Sequence, residues 1–134
     1  MKQVLIVDDS EQIRERLITL LSESDQIHIA GQAGNVRDAL GAIRRSKPDI
    51  VILDIRLPGQ SGIGLLKEIK ARYPEVAVIM LTNFDYARYR QQCRQLGADH
   101  FLNKTFEFEK IVETILATEA ASREPSKGPP QKGA

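Results

Sequence analysis

A short apolar run that ends on a single polar side chain occurs four times in this sequence. Ile50-Val51-Ile52-Leu53, inside "PDIVILDIRLPG", stops at Asp54. Val4 to Val7 stops at the pair Asp8-Asp9, Val76 to Leu81 at Thr82, and Phe101 to Asn103 at Lys104. Runs this short, mostly β-branched and apolar at successive positions, read as strands buried on both faces, which points to a parallel sheet. A polar residue directly after such a strand lies at its carboxyl end, the rim where open α/β sheets bind ligands. If the strands are parallel neighbours, three carboxylates, a hydroxyl and an ammonium meet on one rim.

The intervening segments carry helical periodicity. Ser10 is a candidate N-cap for a helix from Glu11 with Ile13, Leu17, Leu20 and Leu21 on one face. "DQIHIAGQA" reads as a weaker, edge-type strand with Ile27, Ile29 and Gly31 alternating. Asn35 caps a helix bearing Val36, Ala39, Leu40 and Ile43, and Pro48 forces an extended approach to the Asp54 strand. Ile55 to Ser61 reads as a loop, with Pro58, Gly59 and then Gly62 as its loop residues. A third helix carries Ile63, Leu66, Ile69 and Tyr73 and ends at Pro74. A fourth has Tyr86, Tyr89, Cys93 and Leu96 on its packed side, with Gly97 ending it. A fifth carries Phe108, Ile111, Val112, Ile115 and Leu116.

Strand and helix thus alternate five times. Parallel strands need crossover helices, and these are right-handed. The expected fold is a flavodoxin-like, doubly wound α/β sheet in strand order 2-1-3-4-5 with helices on both faces. The topological switch then falls between the first and third strands, whose ends carry Asp8, Asp9 and Asp54. Residues 1–121 form the expected domain. From Ser122, "SREPSKGPPQKGA" lacks apolar periodicity and reads as a disordered tail.

Composition removes several classes. The formal net charge of +1 over 134 residues gives no electrostatic case for direct nucleic-acid or anionic-membrane binding. No apolar run approaches the roughly 20 residues of a membrane helix. "MKQVLIVDDS" is not a secretory signal pattern, and the single cysteine, Cys93, cannot form an internal disulfide. A cytoplasmic protein is expected.

Clustered carboxylates repel, so one is protonated or a cation sits among them. Hard oxygen ligands on an open, partly hydrated rim suit Mg²⁺. A carboxylate can attack phosphorus to give an aspartyl phosphate, whose oxygens then need positive charge and donors. Mg²⁺, Lys104 and the Thr82 hydroxyl would supply them.

With these residues in place, the chain resembles the receiver domain of two-component response regulators over roughly residues 1–121. The resemblance rests on Asp8-Asp9, Asp54, Pro58-Gly59, Thr82 and Lys104, with the aromatic Phe101 three residues before that lysine. It is closest to receivers that elsewhere precede a helix-turn-helix output domain. It implies that Asp54 is the phosphoacceptor, that Asp8, Asp9, Asp54 and the Arg56 backbone carbonyl ligate Mg²⁺, and that Lys104 contacts the phosphate. Thr82 and Phe101 would be switch residues; Phe101 alone fits a plain core residue equally well. The implied partners are a histidine kinase or phosphotransfer protein and a downstream protein on the face formed by the fourth helix, fifth strand and fifth helix. A phosphorylation-dependent homodimer is a further expectation. Catalysis would be confined to self-phosphorylation and self-dephosphorylation.

The chain departs from the family pattern at two places. Thr105 stands where the family has proline, so the Lys104 loop is expected to be trans or more mobile, with its phosphate contact less preorganised. Asn83 follows Thr82 where a small residue is usual. Arg56 and Phe84 occupy the positions that govern water's access to the acyl phosphate, and Phe84 cannot orient water. Arg88, Arg90 and Arg94 read as a solvated face, and Tyr86 and Tyr89 as packing for the fourth helix. Competing readings are the receiver part of a truncated DNA-binding regulator and a phosphorylation-independent binding module. An aspartyl hydrolase of the haloacid-dehalogenase type is disfavoured, because Arg56 stands where a second acid is required.

Overall fold

The computed structural model describes residues 1–118. Five strands, β1 (Lys2–Val7), β2 (Ile27–Ala33), β3 (Ile50–Leu53), β4 (Ala77–Thr82) and β5 (His100–Asn103), form one parallel sheet. Their order is β2-β1-β3-β4-β5, as the alternation predicts. The helices are α1 (Glu11–Leu21), α2 (Val36–Ser46), α3 (Gly62–Arg72), α4 (Ala87–Gln95) and α5 (Ile111–Ala117). The predicted boundary at 121 and the tail beyond it lie outside the described residues.

The unbroken apolar runs are explained by two cores. Alternate strand residues Leu5, Val7, Val51, Leu53, Val78 and Met80 pack with α2, α3 and Cys93 of α4. The opposite set, Val4, Ile6, Ile50, Ile52, Ile79 and Leu81, packs with Leu17 and Leu21 of α1 and Ile111 and Ile115 of α5. Both faces of each central strand are covered, so neither face can carry polar residues.

Four expectations change in detail. The segment after Asp54 is an antiparallel ribbon, Arg56–Leu57 against Gln60–Ser61, rather than an open loop. Pro58 followed by Gly59 at φ +73° makes its turn, because only glycine adopts that φ without strain. In β2 the register slips between Ile29 and Gly31, leaving Ala30 unmatched and breaking the alternation. Phe108 lies in a 3₁₀ turn, Phe108–Lys110, ahead of α5. On α4 only Cys93 is buried; Tyr86 precedes the helix and is 59% exposed, stacked edge-on against Tyr89 at 5.6 Å between centroids.

Candidate functional site

The acids are placed by the sheet's own backbone. Asp8 donates its N–H to the Ala33 carbonyl (3.0 Å), and Asp54 donates to the Val7 carbonyl (3.2 Å), so the ladder runs one residue past each strand. Both side chains are buried, whereas Asp9 is exposed. The carboxylate oxygens of Asp8, Asp9 and Asp54 lie within 4.8 Å of one another. The Asp8 Oδ1 accepts from the Ser10 N–H at 2.9 Å, and Arg14 Nη1 donates to the Asp8 carbonyl at 2.6 Å.

Lys104 reaches across from the end of β5. Its Nζ is 2.6 Å from Asp54 Oδ2 and 2.7 Å from Asp8 Oδ2. Burial pushes the Asp8 carboxyl above its ordinary range, against the hydrogen bond from Lys104. Burial pulls the Lys104 ammonium down, but the hydrogen bonds it donates to Asp54 and Asp8 outweigh that and the net direction is upward. The cation among the acids is therefore, here, the chain's own lysine.

Thr82 is fully buried, and its Oγ1 accepts from the Phe84 N–H at 3.2 Å. Its hydroxyl hydrogen remains free to donate elsewhere. The Arg56 N–H donates to Asp54 Oδ1 at 3.4 Å, a long bond, and the Arg56 guanidinium lies 5.7 Å from the centre of the Phe84 ring. Ile55, Arg56, Leu57, Phe84 and Tyr89 line a cavity of about 310 Å³ beside the acids. Phe101 is half-buried, and Arg90 lies 4.6 Å over its ring.

Two expectations gain detail. Arg90, on a partly exposed face, is ion-paired with Asp85 and lies 3.7 Å from Glu107. The Lys104 loop is not loosely held: the Lys104 N–H donates to the Thr82 carbonyl at 2.9 Å, and Thr105 Oγ1 donates to Asn83 Oδ1 at 2.8 Å. No described peptide bond is cis, so Lys104–Thr105 is trans.

Sequence reasoning missed the roles of Gly62 and Asn103. A Cβ on Gly62 would overlap the Asp54 carbonyl oxygen, so only glycine lets α3 start against the Asp54 backbone. The signal was Ser61, an N-cap directly before it. Asn103 accepts on its Oδ1 from the N–H groups of Thr105 (2.8 Å) and Phe106 (2.9 Å), an Asx turn legible from asparagine at a strand end.

A parallel, doubly wound sheet with three acids and a lysine at its switch point places the chain among the open α/β proteins that bind ligands outside the carboxyl ends of their strands. Residues 4–116 match the response regulator receiver domain, and the chain belongs to that family. Protein CcdB of Bacillus subtilis (strain 168) is 35% identical over 115 residues, 86% of this chain and 95% of that protein. The DNA-binding transcriptional activator DevR/DosR of Mycobacterium tuberculosis is 34% identical over 86% of this chain and 53% of its own length. The chain spans about half the length of several such relatives. Among solved structures, a LuxR-family DNA-binding response regulator from Staphylococcus aureus superposes with TM-score 0.80 at 28% identity, covering 87% of this chain and 97% of that one. A chain of the CheX–CheY–BeF3–Mg²⁺ complex from Borrelia burgdorferi gives TM-score 0.79 at 26% identity, covering 86% and 87%. Receiver domains bind Mg²⁺ at an acidic pocket, and Asp8, Asp9 and Asp54 form an acidic cluster at this rim. Among the described residues, no helix is long and apolar enough to cross a membrane.

Proposed function

We propose that this protein is a phosphorylation-controlled signalling switch in the cytoplasm, with Asp54 as the acceptor. The observation that carries the reading is the buried Asp54 carboxylate, clustered with two further acids and held 2.6 Å from the Lys104 ammonium. Asp54 attacks the phosphorus of a phosphohistidine on a histidine kinase or phosphotransfer protein. The P–N bond breaks, the C–O–P linkage of an acyl phosphate forms, and the departing imidazole nitrogen takes a proton from water. Asp8, Asp9 and Asp54, with the Arg56 carbonyl, would hold Mg²⁺, whose bound charge offsets that of the acids and the incoming phosphoryl group.

Lys104, already at Asp54, then finds phosphoryl oxygens as stronger acceptors than one carboxylate. The Thr82 hydroxyl is drawn inward toward the new charge, and its displacement leaves room for Phe101 to swing inward, shifting a two-state equilibrium rather than making a new fold. Readout is by protein contact on α4, β5 and α5, where a downstream target or a second phosphorylated copy would dock. The turnover this arrangement supports is gain and loss of its own phosphate.

Incubation with Mg²⁺ and acetyl phosphate should add one phosphate mass to the wild-type protein and none to Asp54→Asn. Equal labelling of the two proteins would overturn the reading.

A further inference from the structure

The two positions at which this chain departs from its family are bonded to each other. Thr105 Oγ1 donates to Asn83 Oδ1 at 2.8 Å, linking the loop after β5 to the loop after β4. Beneath that bridge, the Lys104 N–H donates to the Thr82 carbonyl at 2.9 Å. Beside it, Asn103 Oδ1 takes the N–H groups of Thr105 and Phe106, and the Asn103 carbonyl takes that of Glu107 at 2.9 Å. Asn103 is itself fixed: its N–H donates to Glu107 Oε1 at 2.8 Å, and its Nδ2 donates to Asp85 Oδ2 at 3.2 Å. A proline at 105 has no N–H to give Asn103 and no hydroxyl to give Asn83. Where a proline ring would stiffen the turn, side-chain hydrogen bonds do so here.

We propose that Asn83, Thr105 and Asn103 form a clamp that positions Lys104 over Asp54, an inference that rests on the phosphoacceptor reading. Lys104 has a long flexible stem, so its aim depends on where its backbone is anchored. The clamp anchors that backbone on both sides of residue 104. It also adds, through Asn83, a second tie between the Lys104 loop and the end of β4, beside the direct bond from the Lys104 N–H to the Thr82 carbonyl. The phosphate contact and the switch hydroxyl are thus set together. Asn83, Thr105 and Asn103 are positioning residues; none of them needs to touch the phosphoryl group.

The test is a double-mutant cycle on the full chain. Thr105→Val removes the hydroxyl but keeps shape and the N–H; Asn83→Ala removes the acceptor; Thr105→Ser restores the donor. The rate of phosphate uptake from acetyl phosphate at saturating Mg²⁺ is measured with amide hydrogen exchange at Thr105 and Phe106. Each single variant should slow uptake roughly two- to tenfold, the worth of one hydrogen bond, with faster exchange at both amides. The double variant should be no slower than either single one, Thr105→Ser should match wild type, and Mg²⁺ affinity should be unchanged. A wild-type rate in Thr105→Val, or a double-variant loss equal to the product of the single losses, overturns the clamp. So does faster exchange without slower uptake, which would make the bridge purely structural. Failure of the wild type to label, or labelling of Asp54→Asn, overturns the phosphoacceptor reading instead and takes the positioning role with it; amide exchange still shows whether the bridge exists.

Discussion

Along the carboxyl rim of the sheet, Asp8, Asp54 and Lys104 each extend the strand ladder by one backbone bond and Thr82 lies within it, but on the Lys104 and Thr82 side the loops' side chains add a second layer of bonds. On the β1/β3 side, each acid's N–H extends the strand ladder, and α3 begins against the Asp54 carbonyl. On the β4/β5 side, Asn83, Asp85, Arg90, Asn103, Thr105 and Glu107 form a web of side-chain bonds around the lysine. A ladder is stiff because moving one residue breaks its neighbours' bonds as well. A web of partly exposed side chains holds its loop in one arrangement but can exchange partners one bond at a time, at smaller cost than a ladder. The acids therefore suit fixed chemistry, and the opposite half suits a change of state. Tyr86 and Phe106, the latter 85% exposed, both belong to that second half.

The comparison breaks most readily at Gly62. Gly62→Ala should cost about 3 kcal/mol, because the new methyl meets backbone that has no free direction to move. Urea unfolding would give the loss, and any folded fraction should take up phosphate poorly because Asp54 is displaced. Wild-type stability in Gly62→Ala would mean that the acidic half is as pliable as its counterpart.

The next largest effect concerns charge on the stiff side. Burial raises the Asp8 carboxyl above its ordinary 3.8, so the folded protein holds a proton there that the unfolded chain has already released. In that window the folded state binds more protons, so stability falls as pH rises from 3.8 through the raised value. Asp8→Asn removes the buried charge while leaving an oxygen for the Ser10 N–H. The melting temperature without metal should rise by a few degrees at neutral pH, and the further rise on adding Mg²⁺ should shrink or vanish. Scanning calorimetry with and without Mg²⁺ would decide; a lower melting temperature in metal-free Asp8→Asn would show that its ion pair with Lys104 outweighs desolvation.

How legible each half was in the sequence follows the same division. The acidic half could be read because it is built from strands, and strand ends are marked by where an apolar run stops: Leu53 before Asp54, Val7 before Asp8. Strand order came from the alternation with helices. The other half could be read only as positions. Thr82 and Lys104 were found by that rule, but the ion pairs of Arg90 were not, because nothing local reveals that Asp85, five residues earlier, and Glu107, seventeen later, converge on it. Thr105 and Asn83, twenty-two residues apart, each read alone as a weakness; only tertiary structure makes them partners. Gly62 was seen as a loop glycine, since the approach of the Asp54 carbonyl cannot be inferred from neighbours in sequence.

A smaller effect is expected at Arg90. Its guanidinium holds the Asp85 carboxyl below its ordinary 3.8, so the pair contributes above that pH and is lost as pH falls through the lowered value. Its side chain is partly exposed and screened, so Arg90→Ala should cost less than about 1 kcal/mol. In 1 M salt the two proteins should approach equal stability. The functional consequence runs the other way. Arg90 covers Phe101 and ties it to the resting arrangement, so the variant should bind a fluoroberyllate–Mg²⁺ mimic more tightly by a few-fold. Titration followed by the Phe101 ring resonances would test it, and unchanged or weaker binding would show that Arg90 favours neither state.

The finest distinction between the halves is at Phe84, where they touch. Its ring lies beneath the Arg56 guanidinium of the acidic side, and its N–H donates to the Thr82 hydroxyl oxygen of the switching side. An aromatic ring there can neither accept nor donate to a water approaching the acyl phosphate, and it fills space along the route past the cavity shared by Arg56 and Tyr89. Phe84→Asn introduces an amide that can orient that water, while its backbone N–H to Thr82 is retained. Phosphate loss should therefore quicken about two- to tenfold, the modest end of what a positioned polar group contributes, while uptake from acetyl phosphate changes little. Decay of the purified phosphoprotein in excess EDTA-free buffer, followed by intact mass, separates the two rates. An unchanged decay in both Phe84→Asn and Phe84→Glu would mean that the ring does not guard the phosphate and that hydrolysis is limited from the acidic side alone.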